Sequence, residues 1–199
     1  MPFVTGLVLA AGGSKRLGAP KQLLRYDGRT LLDHVLDTAR ACDFDQLLCV
    51  IGGSAEEIRG RVDLTSVDVV KNQHFGEGCS SSIAAALSNV DPRADVLVLM
   101  LGDQPGVSKE TVQTLLAGRG DAPLAACAYE DGRGHPLAFA RSTFAELKEL
   151  HGDKGVWKLL DRHGDEVLDV SVPGPIPRDV DTDEDYRAVL AQAGKQATA

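Results

Sequence analysis

Short apolar runs alternate with longer amphipathic stretches along most of the chain. VTGLVLA at 4–10, QLLCVIG at 46–52, VDVVK at 67–71 and ADVLVLML at 94–101 are too short for buried helices and read as strands. ADVLVLML is the most apolar and is expected at the centre of a sheet. Residues 30–42 instead carry Leu31, Leu32, Val35, Leu36 and Ala39 at helical spacing, with Thr30 placed as a cap. Ser54, with Glu57 three residues on, predicts a capped helix over 54–62. Further helices are expected over 80–90, 108–117 behind Ser108, 142–150, 154–163 and 182–193. Strands over 123–129 and 136–140 flank the turn-rich EDGRG, and another falls near 166–172. Strand alternating with helix predicts a three-layer α/β fold on a mainly parallel sheet. Only 120–172 breaks the alternation, and an antiparallel element is expected there. The pattern gives one domain over 1–193 and a frayed tail over 194–199.

In such sheets ligands bind beyond the carboxyl ends of the strands. Three polar loops are expected at that edge: AGGSKRLGAPK at 11–21, KNQHFGEGCSSS at 71–82 and LGDQP at 101–105. The first is flexible and cationic. Closely spaced glycines let backbone N–H groups approach phosphate oxygens, and Lys and Arg add charge-assisted hydrogen bonds. It also fits a tight strand-to-helix turn with solvated basic residues. Gly13 and Gly18 have the spacing of a Walker loop, but Ala19 and Pro20 precede Lys21 and no Ser or Thr follows it. The dinucleotide fingerprint GxGxxG is absent. Asp103 stands at the tip of the most apolar run, as a turn former or as a ligand for the magnesium that accompanies a nucleoside triphosphate. DVDTDEDY at 179–186 offers a second carboxylate. A role at the start of the last helix accounts for Asp183 and Glu184 but not for Asp181.

The net charge of −8 argues against a nucleic-acid surface, so the cationic loop is a local device for a small anion. No window reaches 18 apolar residues, so no membrane span is expected. MPFVTG lacks the features of a signal peptide, which points to a cytoplasmic protein. Cys42, Cys49, Cys79 and Cys127 show no CxxC spacing and read as reduced thiols.

The chain resembles the molybdenum cofactor cytidylyltransferases, within the molybdopterin-type nucleotidyltransferases. The resemblance lies in LAAGGSKRLGAPKQLL at 9–24, EGCSSSIAAAL at 77–87, LGDQP at 101–105, GHP at 134–136 and DVDTDEDY at 179–186. It implies a Rossmann-like nucleotidyltransferase fold with a mixed sheet of about seven strands. By that resemblance Ala10, Ala11 and Gly12 would lie against the base and ribose of a nucleotide, in a binding stretch that includes Gly13 and Ser14. Arg16 and Lys21 would hold the triphosphate and, with Asp103, serve catalysis. Lys15 is expected to be solvated. Ser82 would approach the pyrimidine, and Asp103 and Asp181 would hold magnesium. His135 matches a position on the acceptor side, and otherwise reads as a hydrogen-bonded turn histidine. LAAG resembles the cytidine-using members, where guanosine-using relatives more often carry LAGG. One departure bears on the acceptor. Trp157 stands where the family usually carries Arg, and by spacing it reads as a core residue of its helix.

The implied reaction moves a cytidylyl group from CTP to the phosphate of molybdenum-bound molybdopterin and releases pyrophosphate. A molybdenum hydroxylase or its maturation chaperone is the implied protein partner. No Ser–His–Asp or Cys–His arrangement is present, and none is needed for attack by a phosphate. The alternatives are transfer of another nucleotide or to another phosphorylated acceptor, an oxidoreductase branch of the family (nicotine blue type), and a carrier of finished cofactor without chemistry.

Overall fold

The computed structural model describes residues 1–14 and 16–196. Apolar runs become strands and amphipathic stretches become helices, in the order β1 (Val4–Ala10), β2 (Arg25–Tyr26), β3 (Arg29–Thr30), α1 (Leu31–Ala41), β4 (Gln46–Ile51), α2 (Ala55–Arg61), β5 (Asp68–Lys71), α3 (Cys79–Leu87), β6 (Val96–Leu101), α4 (Lys109–Arg119), β7 (Leu124–Tyr129), β8 (Gly132–Ala140), α5 (Phe144–Lys148), α6 (Gly155–His163), β9 (Val167–Ser171) and α7 (Asp183–Gln196).

Alternate strand residues face opposite ways and so feed two cores. In β6, Val96, Val98 and Met100 pack beneath α1, α2, α4 and α7. Leu97 and Leu99 pack beneath α3, α5 and α6. The result is three layers, as expected, around a seven-stranded sheet in the order β5-β4-β1-β6-β8-β7-β9. All pairings are parallel except those of β8, which runs antiparallel to β6 and β7. The antiparallel element therefore falls inside 120–172. Its reversal matters for the site, because the start of β8 lies at the edge where β1, β4 and β6 end.

Local chemistry sets the boundaries. Thr30 caps α1 in a reciprocal box with Asp33, and Ser108 Oγ accepts from Thr111 N at the start of α4. The cap expected at Ser54 does not form, since its side chain makes no capping hydrogen bond. Strand β8 begins at Gly132 rather than 136 and takes in most of EDGRG, because Arg133 pairs in the sheet with Ala128 and holds Asp169 at 2.6 and 3.0 Å. The helix expected over 142–150 contracts to α5 behind a single 3-10 turn. Helix α7 runs on to Gln196, past the expected end at 193; residues 197–199 lie outside the described residues. All four cysteines are free thiols. No helix among the described residues is long and apolar enough to cross a membrane.

Candidate active site

Strand β1 ends at Ala10 and β6 at Leu101, side by side at one edge of the sheet. Gly102 ties the two exits together, its N–H donating to the Leu9 carbonyl at 2.8 Å. A Cβ on Gly102 would stand 3.0 Å from both Leu9 O and Ala10 Cβ, so glycine allows the close approach. Beyond this edge lies a cavity of about 530 Å³. Ala10, Ala11, Gly12, Gly13, Ser14, Arg16, Lys21, Ser82, Asp103, His135 and Asp181 all line it. Lys15 lies outside the described residues.

The loop after β1 is held by its own side chains. Ser14, at a φ of 47°, accepts a hydrogen bond from Lys21 N at 2.8 Å and closes the loop on itself. The Ser14 oxygen is thus engaged by the backbone before any ligand arrives. Gln22 is buried, and its Nε2 donates to the carbonyls of Ala10 and Gly12 at 2.8 and 3.0 Å. Sequence reasoning missed Gln22. Its only signal was a polar residue inside the otherwise apolar approach to Leu23 and Leu24.

Lys21 is the electrostatic centre. Its ammonium pairs with Asp103 and, at 2.7 Å, with Asp181. Only 13% of the Lys21 side chain and 14% of the Asp103 side chain are exposed. Burial pushes the Asp103 carboxyl up, with Lys21 pulling the other way. Burial works against the Lys21 ammonium too, but the carboxylates of Asp103 and Asp181 outweigh it and leave its pKa raised. Arg16 is far more exposed and lies 3.8 Å from Asp181.

Asp181 reaches this point because the segment before α7 folds back over the β6 exit. Val180 N donates to Asp103 O at 3.1 Å, and Gln104 Nε2 donates to Pro177 O at 2.9 Å. Asp185 accepts from Thr182 N and Oγ1 and fixes the start of α7. Asp153 and Asp179 also line the cavity; Asp179 opens the DVDTDEDY stretch, whereas Asp153 carried no signal in the sequence. Among the described lining residues, two cations (Arg16, Lys21) face four carboxylates (Asp103, Asp153, Asp179, Asp181). No described cluster of three or more His, Cys, Asp or Glu could hold a metal ion unaided. Asp103 and Asp181 nevertheless converge on one cation, and a pair of hard oxygens is what a divalent ion sharing its shell with phosphates and water requires.

Two further walls complete the cleft. Asn72, at the end of β5, donates to Ser81 Oγ and Ser82 Oγ at 2.9 and 3.0 Å and so fixes Ser82 at the mouth of α3. On the other side the reversed β8 delivers His135, whose ring meets Trp157 edge-on at 5.4 Å. His135 stands in strand β8 rather than in a turn, and its carbonyl accepts from Tyr129 Oη at 2.7 Å. Trp157, expected as a core residue, packs half-buried against the core under α6 and also lines the cleft.

Burial lowers the His135 pKa to about 4, so the ring is neutral at physiological pH. An unfolded chain takes up this proton near pH 6.5 and the folded one only near 4. The stabilising contribution is complete above the unfolded value and is lost as the pH falls from 6.5 towards 4. At 1.36 kcal/mol per unit the loss reaches about 3 kcal/mol. Urea unfolding of wild type and His135→Gln across this window tests it. The wild type should lose more stability than the variant as the pH drops, and equal slopes would contradict the assignment.

Comparison with known proteins gives the family and the fold. A relative from Paenarthrobacter nicotinovorans, nicotine blue oxidoreductase, is 34% identical over 164 residues, covering 78% of this chain and 80% of that protein. The crystal structure of Rv0371c from Mycobacterium tuberculosis H37Rv in complex with manganese has a TM-score of 0.86 at 44% identity, over 94% of this chain and 98% of that one. A nucleotidyl transferase from Methanothermobacter thermautotroptrophicus shares the fold, with a TM-score of 0.84 at 21% identity over 98% and 99% of the two chains. The MobA-like NTP transferase domain matches residues 6–167. A seven-stranded mixed sheet, a glycine-rich cationic loop after its first strand and this match over most of the chain place the protein in the MobA-like NTP transferase domain family.

Proposed function

We propose that the protein moves a cytidylyl group from CTP to the phosphate of a molybdopterin-type acceptor and releases pyrophosphate. The observation that carries this reading is the meeting of Lys21, Asp103 and Asp181 at the mouth of the glycine-rich loop. A phosphate-seeking ammonium and two metal-seeking carboxylates share one point there.

The acceptor phosphate has a second pKa of about 6 and is already anionic near neutral pH. It needs no strong base, which suits a cleft whose histidine is neutral. The difficulty is electrostatic, since an anion must attack the α-phosphorus of another anion in line. Lys21 holds the triphosphate and neutralises charge as the bond to pyrophosphate breaks. Arg16, free enough at 71% side-chain exposure to follow the departing group, acts on that leaving charge. A magnesium ion on Asp103 and Asp181, when bound, would draw further charge from the phosphates. The manganese in the Rv0371c complex supports the use of a divalent ion. With carboxylates outnumbering cations, free CTP is repelled and the metal–nucleotide complex is the species that enters. The four free thiols suit a reducing compartment, the cytoplasm.

Base choice is testable directly. With LAAG at 9–12 and Ser82 held by Asn72, the site should prefer CTP to GTP. Donors misplaced against the wrong base cost about 1–3 kcal/mol each, or about fivefold and upward in affinity. Calorimetry with both nucleotides, each with magnesium and with chelator, measures it. CTP should bind more tightly than GTP and lose most of its affinity in chelator. Tighter GTP binding would point to guanylyl transfer.

One observation favours a second reading. The relative named nicotine blue oxidoreductase aligns over most of this chain, and Trp157 meeting neutral His135 gives the acceptor side a pair of aromatic rings. A redox reaction on an aromatic substrate is the alternative those rings support.

A further inference from the structure

Phe75 is among the few large apolar side chains left exposed, at 38%. It opens a short 3-10 turn, Phe75–Glu77, between β5 and α3. Its ring lies over Gly52 and Gly53 at the exit of β4. A Cβ on Gly53 would stand 2.9 Å from the ring, and one on Gly52 would stand 2.8 Å from Phe75 Cβ. Glycine at both positions leaves the ring a flat shelf. The ring borders the cavity and also a neighbouring groove of about 440 Å³ lined by Gly52, Gly53 and Asn72.

Its position along the glycine-rich loop is the informative feature. A Cβ on Gly12 would stand 3.6 Å from Lys21 Cε, and one on Gly13 would stand 3.8 Å from Phe75 Cε2. The loop backbone thus leads from the ammonium to the aromatic ring. The charges suited to phosphates gather at the Lys21 end, while Phe75, with Ser82 and Asn72, forms the other end. His135 stands on β8, beyond β6 in the strand order and so away from β4 and β5, with Trp157 against its ring. A ligand with anionic phosphates and a flat ring has one orientation that serves both ends of the loop.

We propose that Phe75 is the stacking residue for the nucleobase: the pyrimidine packs face-on against its ring on the Gly52–Gly53 shelf while the triphosphate reaches Lys21. This rests on the proposed binding of a nucleotide in the cleft. Stacking on an aromatic side chain is worth about fivefold or more in affinity per base. It carries no benefit for a ligand without a ring.

The test compares CTP with inorganic tripolyphosphate, both in magnesium, with tripolyphosphate measured by competition against CTP. Phe75→Ala should weaken CTP about fivefold or more and leave tripolyphosphate within about twofold. Phe75→Tyr should keep CTP affinity near the wild type. Gly53→Ala, which pushes the ring off its shelf, should weaken CTP selectively, and in Phe75→Ala/Gly53→Ala the two losses should not add. Equal CTP affinity in wild type and Phe75→Ala would overturn the proposal, as would equal loss of both ligands. If the wild type bound CTP, either result would leave the nucleotide reading standing. A wild type that bound neither CTP nor tripolyphosphate would overturn both.

Discussion

Asp103→Asn is expected to cut the single-turnover rate by about 10²–10³ while changing the CTP Kd far less. That factor is the scale for removing one strong electrostatic group, about 2.7–4 kcal/mol of transition-state stabilisation. Asn keeps the shape of the side chain and its place after Gly102, so the junction of β1 and β6 should survive. What is lost is a charge held in a poorly solvated position, only 14% exposed, where burial already opposes its ionised form. Such a charge is kept only by what it pairs with: Lys21 in the free protein and, under the proposed function, a divalent ion with the nucleotide. The ground state retains Asp181, Lys21 and the loop, which is why binding should suffer less than turnover. A variant with near-normal turnover would remove Asp103 from the chemistry.

Lys21→Ala should damage binding and turnover together. Removing the ammonium leaves Asp103 without its partner and Asp181 with Arg16 alone, at 3.8 Å. The described cleft lining would then hold one cation against four carboxylates. A charge-assisted hydrogen bond is worth about 1.5–3 kcal/mol, so CTP affinity should fall by about tenfold to hundredfold. Arg16→Ala should instead slow turnover with a smaller loss of binding, because Arg16 is largely exposed and not locked against the nucleotide site. Arg16→Lys should restore only part of the rate, since an ammonium lacks the planar fork that follows phosphates. The pair of values, Kd and single-turnover rate, separates the two residues. Equal binding losses for Lys21→Ala and Arg16→Ala would mean that the loop divides the phosphates differently.

Much of this was legible in the sequence because it is written in local patterns. Apolar runs at 4–10, 46–52 and 94–101 became strands because alternate residues feed two cores. The loops that follow them fell at one edge because those strands are parallel. What stayed hidden depends on contacts between distant residues. Nothing near Lys21 announces that Asp181, 160 positions away, shares its ammonium. That meeting depends on Gln104 and Val180 folding the last loop back. Gln22 and Asn72 look like ordinary polar residues until their amides are seen holding the cradle and Ser82. The Ser54 cap failed although its residues fit the pattern, because a sequence pattern does not guarantee the backbone angles that bring the hydroxyl to the helix N–H groups. The hairpin β2–β3 went unread because its strands are two residues each, below any periodicity.

Pyrophosphate release by the purified full chain is the decisive measurement for cytidylyl transfer. It is made with each nucleoside triphosphate, magnesium, and either a molybdopterin-type phosphate acceptor or no acceptor. Release should need CTP, metal and acceptor together, should leave the cytidylyl group on the acceptor, and should be lost in Asp103→Asn. Absence of pyrophosphate with every nucleotide, in the presence of metal and acceptor, would contradict the proposed transfer.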